Sequence, residues 1–136
     1  MSVGVNIETR FQPSQGDGIP AIAVQVTCLV NSYMIWAGAT GEEDATSAVK
    51  AGRLVADWAC AMPPRSGGDA PATPLFRTSS SDAAASMSQR LARRFKKQIF
   101  LSIDVPLTPA SSAFGARVIH EIEKLLVKTV KELEAQ

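Results

Sequence analysis

Arg90, Arg93, Arg94, Lys96 and Lys97 place five cationic side chains within eight consecutive positions. Charge at that density reads either as a solvated helix end or as a docking patch for an acidic partner. An alternating apolar run, Ile99, Leu101 and Ile103, follows at once. The change from a helical period to a period of two predicts a helix ending near Lys96 and a strand over 98–105. A positive last turn also complements the helix macrodipole, so the cluster has a structural role beside a binding one. Leu91, Phe95, Ile99 and Leu101 are expected in the core, which leaves the charged side chains as candidates for binding.

The other residue types with chemical potential make no constellation. His120 is the one histidine and sits in a helical pattern with no second His or Cys near it in sequence, so no metal site is expected. Ser79, Ser80, Ser81 and Asp82 precede an apolar helical stripe, the position of N-caps. Gly16-Asp17-Gly18 lacks the spacing and the following Lys-Ser/Thr of a phosphate loop. Glu42, Glu43 and Asp44 read as a solvated acidic run. Trp36 and Trp58 read as core or interface residues. Cys28 and Cys60 lie in apolar segments and are expected as free thiols in a reducing compartment. The expectation is a non-enzyme with no cofactor and no metal.

The elements that must position these residues are read from periodicity. Val3, Val5, Ile7, Thr9 and Phe11 alternate with polar residues, which predicts an amphipathic strand. Residues 20–30 predict a longer strand with Ile22, Val24, Val26, Cys28 and Val30 on one face. Its other face, Ala21, Ala23, Gln25, Thr27 and Leu29, is small and weakly polar, as in a strand covered on both sides. Asn31-Ser32 fits a hairpin turn, and 33–39 is the returning strand. Residues 40–53 fit either a loop or a short helix. Residues 54–62 fit either a strand or the end of a helix. Residues 63–74 hold four prolines and two glycines and predict a mobile loop, with a short strand at 75–77. A helix with the stripe Ala84, Met87, Leu91 and Phe95 precedes the 98–105 strand. The last helix starts near Ser111 or Ser112, with the stripe Phe114, Val118, Ile122, Leu125, Thr129 and Leu133 flanked by Ile119, Leu126 and Val130. That order predicts an α+β layer: an antiparallel sheet with helices on one face. The opposite face carries Ala21, Ala23, Thr27, Leu29, Met34 and Trp36, too apolar to stay wet, and is the candidate dimer interface.

The totals narrow the partner. The chain has 136 residues, a formal charge of +1 and a pI near 7.8, so one domain (1–136) is expected and a surface basic throughout is excluded. The N-terminus lacks a basic n-region and an apolar h-region, and no apolar run approaches a membrane span, so the chain is expected to be soluble and intracellular.

The segment SQRLARRFKKQIFLS at 88–102, behind the serine-rich cap 79–82, resembles the eukaryotic proteasome assembly chaperone 4 family. The segment YMIWAGAT at 33–40 is similar to a second element of that family, an aromatic strand ending in Gly-Ala-Thr. With the terminal amphipathic helix, the likeness spans most of 20–133. It implies a six-stranded antiparallel sheet with two helices packed on one face and the other face available for dimerisation. It implies a strand at 54–62. It further implies a heterodimer with a proteasome assembly chaperone 3-type sibling, binding of an α-type subunit of the 20S core (α5-type), promotion of α-ring formation, and a cytoplasmic and nuclear location, with no nucleotide, metal, nucleic acid or membrane. Arg90, Arg93, Arg94, Lys96 and Lys97 are the candidate client-binding residues. Residues 41–53 and 63–74 are longer than the family pattern and are expected as flexible loops, so no contact of theirs carries over. The alternative reading is a small binding module for nucleic acid or another acidic partner through the 90–97 segment.

Overall fold

A computed structural model describes residues 5–14, 16, 18–53, 56–65, 68, 70–76, 82–105 and 112–136. Strands β1 (Asn6–Gln12), β2 (Ala21–Leu29) and β3 (Ser32–Thr40) run in sequence. Helix α1 (Ala45–Ala51), β4 (Asp57–Ala61), β5 (Ala72–Phe76), α2 (Ala83–Phe95), β6 (Gln98–Asp104) and α3 (Ser112–Glu134) follow. The six strands form one sheet in the order β1-β2-β3-β6-β4-β5.

Two expectations are corrected. The sheet is mostly, not purely, antiparallel, because β6 lies parallel beside β3. Helix α2 carries the chain from β5 to β6 past β4, and such a crossover is what a parallel neighbour requires. There are also three helices, not two: the 40–53 segment, expected as a flexible loop or short helix, forms α1. Asp44 caps it by accepting from the Ser47 N–H at 2.8 Å, which holds the Asp44 carboxyl below its ordinary range. The 54–62 segment holds β4, the strand that the family resemblance implies.

The β2–β3 turn falls at Val30-Asn31, one residue earlier than expected, with Asn31 at φ 55°. The 63–74 segment is tied at its far end. The Met62 N–H donates to the Pro71 carbonyl and Gln89 Nε2 to the Ala70 carbonyl, both at 2.9 Å, before β5 begins. Ser79–Ser81, the 106–111 segment and the Phe114 side chain lie outside the described residues.

The main core lies between the sheet and α2 with α3. Ile22, Val24 and Val26 of β2, Ile35 of β3, and Ile99, Leu101 and Ile103 of β6 point into it. Met87 and Leu91 of α2 meet them, as do Val118, Ile122, Leu126 and Val130 of α3. Of the expected α3 stripe, Val118, Ile122, Thr129 and Leu133 are buried together with the flanking Leu126 and Val130, while Leu125 is half-buried. Helix α1 lies on the opposite face, where Ala48 packs with Ala23 and Trp36 in a separate small cluster that Phe11 and Val49 border.

Candidate functional site

The sheet face turned away from α2 and α3 is built of three rows, which the strand register sets. One row is Ile7, Thr27, Met34, Phe100, Cys60 and Thr73. A middle row is Thr9, Gln25, Trp36, Ser102, Trp58 and Phe76. The third is Phe11, Ala23, Gly38 and Asp104. Strand β1 adds to this face more than its pattern promised. Its apolar side continues the open face, while Glu8 and Arg10 lie on the helix side, where Arg10 bridges to Glu132 of α3 at 2.8 Å.

The face is exposed at one end and closed at the other. Val5 is 60 %, Ile7 54 % and Met34 39 % exposed, Leu29 is exposed beside them, and Phe76 is exposed at the far edge on β5. Apolar side chains of this size, contiguous and in water, mark an interaction surface. Between them Gln25, Thr27, Met34, Trp36, Trp58 and Ser102 line a groove of about 120 Å³. At the closed end Trp36 is buried. Its ring lies over Gly38, where a Cβ would stand 2.8 Å from Trp36 Cζ2, and under Gly52, where a Cβ would collide with the same atom. Trp36 Nε1 donates to the Arg53 carbonyl at 3.1 Å. Asp104 accepts from the Arg53 backbone N–H at 2.7 Å and from Arg53 Nε and Nη2 at 3.0 and 2.8 Å. Of the six candidate dimer residues, Ala21, Ala23 and Trp36 are therefore buried within the chain, Thr27 is half-buried, and Leu29 and Met34 are exposed. Ile7, Phe100, Trp58 and Cys60 share the face although they were not among the candidate dimer residues. Only the inter-strand register brings them there.

The basic cluster divides in the same way. Helix α2 ends at Phe95, and Lys96 adopts a left-handed conformation at φ 56° that turns the chain into β6. Arg90 forms a forked bridge to Glu123 of α3, its Nε 3.1 and 3.0 Å from the two carboxylate oxygens. That bond raises the Arg90 pKa further. Lys97 pairs with Glu134 at 3.2 Å and lies over the Tyr33 ring, 5.6 Å from its centroid. Tyr33 Oη donates to the same Glu134 carboxylate at 2.9 Å. Burial first, and then that carboxylate, hold the Tyr33 hydroxyl protonated well above its ordinary range. Arg94 lies 5.9 Å from the centre of the half-buried Phe95 ring. Arg93, Arg94 and Lys96 are exposed at the helix end.

Cys28 and Cys60 are free and half-buried. Burial first, then Glu8, raise the Cys28 thiol. His120 is exposed on α3. Among the described residues no group of three or more His, Cys, Asp or Glu is placed to hold a metal ion, and no helix is long and apolar enough to cross a membrane.

No curated protein matches this chain in sequence. Its fold is similar to a chain in the crystal structure of a chaperone complex for yeast 20S proteasome assembly, with a TM-score of 0.64 at 16% identity over 95% of this chain and 98% of that one. The family model for proteasome assembly chaperone 4 matches residues 21–105, which run from the start of β2 to just past β6 and include the basic helix end and the open sheet face apart from β1. On that match, the chain belongs to the proteasome assembly chaperone 4 family.

Proposed function

We propose that this chain is a non-catalytic chaperone of 20S proteasome assembly that works in the cytoplasm and nucleus. It pairs with a sibling chain of the proteasome assembly chaperone 3 type through the exposed end of its sheet face. It offers the end of α2 to an α-type subunit, α5-type, and so promotes α-ring formation. The observation that carries this reading is the exposed apolar run Val5, Ile7, Leu29 and Met34 across β1, β2 and β3 in a member of an assembly-chaperone family. An apolar face suits a lasting partner, whereas a charged, partly solvated contact suits a client that must be released. Arg90 and Lys97 are committed to carboxylates of α3, which works against a phosphate-binding patch built on all five charges.

The test is co-expression with the sibling, followed by sizing and capture of an α5-type subunit. A one-to-one heterodimer that retains the subunit is expected. Reversing two charges, Arg93→Glu with Arg94→Glu, should weaken subunit capture about tenfold or more while the heterodimer persists. A chain that pairs with no sibling and holds no α subunit sinks the reading.

A further inference from the structure

We propose that residues 41–53 form a latched cover over the Trp36 end of the apolar sheet face, with Arg53 on Asp104 as the latch. The role of that cover, confining a partner to the Ile7–Met34–Phe100–Cys60 end, rests on the docking reading above.

The segment has little else to hold it. Helix α1 is seven residues long and buries one residue, Ala48. A helix that short has no stability of its own in water and must be held by what it touches. Its touching points cluster at its C-terminal end. Gly52 ends the helix through its N–H to the Ala48 carbonyl at 3.0 Å and lies flat on the Trp36 ring. Arg53 follows and delivers two connections at once, its carbonyl to Trp36 Nε1 and its N–H and guanidinium to Asp104. The Asp104 side chain is 12% exposed and that of Arg53 62%, so the latch has a fixed half in the sheet and a half that faces water. Hydrogen bonds to a sheltered carboxylate are stronger than neutral ones, and here three converge on one group. If they go, Ala23 and Trp36 are left to solvent. The apolar face would then run without interruption from Ile7 to Phe11.

The experiment uses the full chain with Trp58→Phe, so that indole fluorescence reports Trp36 alone. Acrylamide quenching reads exposure of the ring, and tryptic cleavage after Lys50 reads opening of the segment. Binding of an apolar dye reads the uncovered face. Asp104→Ala removes all three bonds and should raise Lys50 cleavage at least about tenfold, since cleavage follows the open population. Arg53→Ala keeps the backbone N–H bond and should give a smaller rise of the same kind. Quenching and dye binding should rise in parallel with cleavage. If both variants keep the parent's circular dichroism and show no rise in quenching or cleavage, the latch is overturned. If cleavage rises but dye binding does not, the covering role is overturned. Should Asp104→Ala fail to fold, Arg53→Ala decides alone, because its side chain is largely in water and outside the core. These readings need no partner. A chain that shows the latch but never pairs with a sibling therefore refutes the docking reading and not the cover.

Discussion

Two glycines decide where Trp36 can lie. A methyl group on Gly38 would meet the indole at 2.8 Å and the Asp104 carbonyl at 3.0 Å, and one on Gly52 would strike the indole more closely still. Neither has a positive φ, so the requirement is for space rather than for backbone freedom. Gly52→Ala should destabilise the fold by about 1–3 kcal/mol, the usual cost of overfilling a tight site. Gly41→Ala, which has no atom within 4 Å of the added carbon, should leave the melting curve almost unchanged. Equal losses at both positions would mean that the Trp36 slot does not set the packing. The sequence shows Trp36 and its two glycines only as letters 2 and 16 positions apart. Nothing local says that the three stack. The basic run is visible as a run, yet its division is not. Glu123 and Glu134, 33 and 37 residues away from Arg90 and Lys97, take up two of the charges. Only the docking of α3 across the sheet brings them there.

At the scale of elements, the residue that ends α2 is also one of the candidate client-binding residues. Lys96 ends the helix in a left-handed conformation, with its N–H donating to the Ala92 carbonyl at 2.9 Å. A residue with a Cβ is strained there, and glycine is not. Lys96→Gly should therefore raise stability by about 0.4–1 kcal/mol in denaturant unfolding while deleting one charge from the helix end. If client capture falls in that more stable variant, Lys96 binds the client and the loss has no folding component. The existence of β1, β2, β3, β6 and the two long helices was readable from periods of two and 3.6, and α2 and β6 fell close to their expected bounds, whereas the 54–62 segment fitted strand and helix end alike and β5 starts inside the expected 63–74 loop. Their neighbours were not readable. A strand's pattern records which face is buried, not which strand lies beside it, so the insertion of β6 between β3 and β4 left no local mark. Helix α1 escaped for a different reason: seven residues with one buried position carry too little periodicity to separate helix from loop.

The molecule as a whole is a sheet with unequal faces. Helices α2 and α3 cover one face with side chains that are fully buried, while α1 covers only the end of the other around Trp36. The fold does not need the remaining apolar surface, because Ile7, Leu29 and Met34 are already in water and contribute little to its core. Substitution there should consequently separate folding from association. Ile7→Lys with Met34→Lys should change the unfolding free energy by no more than about 0.5 kcal/mol, as at ordinary surface sites. The same pair should weaken pairing with the sibling chain at least about 100-fold. Burying each apolar side chain is worth roughly 1.5–3 kcal/mol, and the new charges would have to be buried instead. Titration of the purified chains, followed by sedimentation, measures both species. Unchanged pairing would move the sibling to another surface, leaving the open row from Ile7 to Cys60 without an occupant. Lost pairing with an unchanged unfolding curve is the outcome expected of a surface that the fold leaves open and the proposed sibling covers.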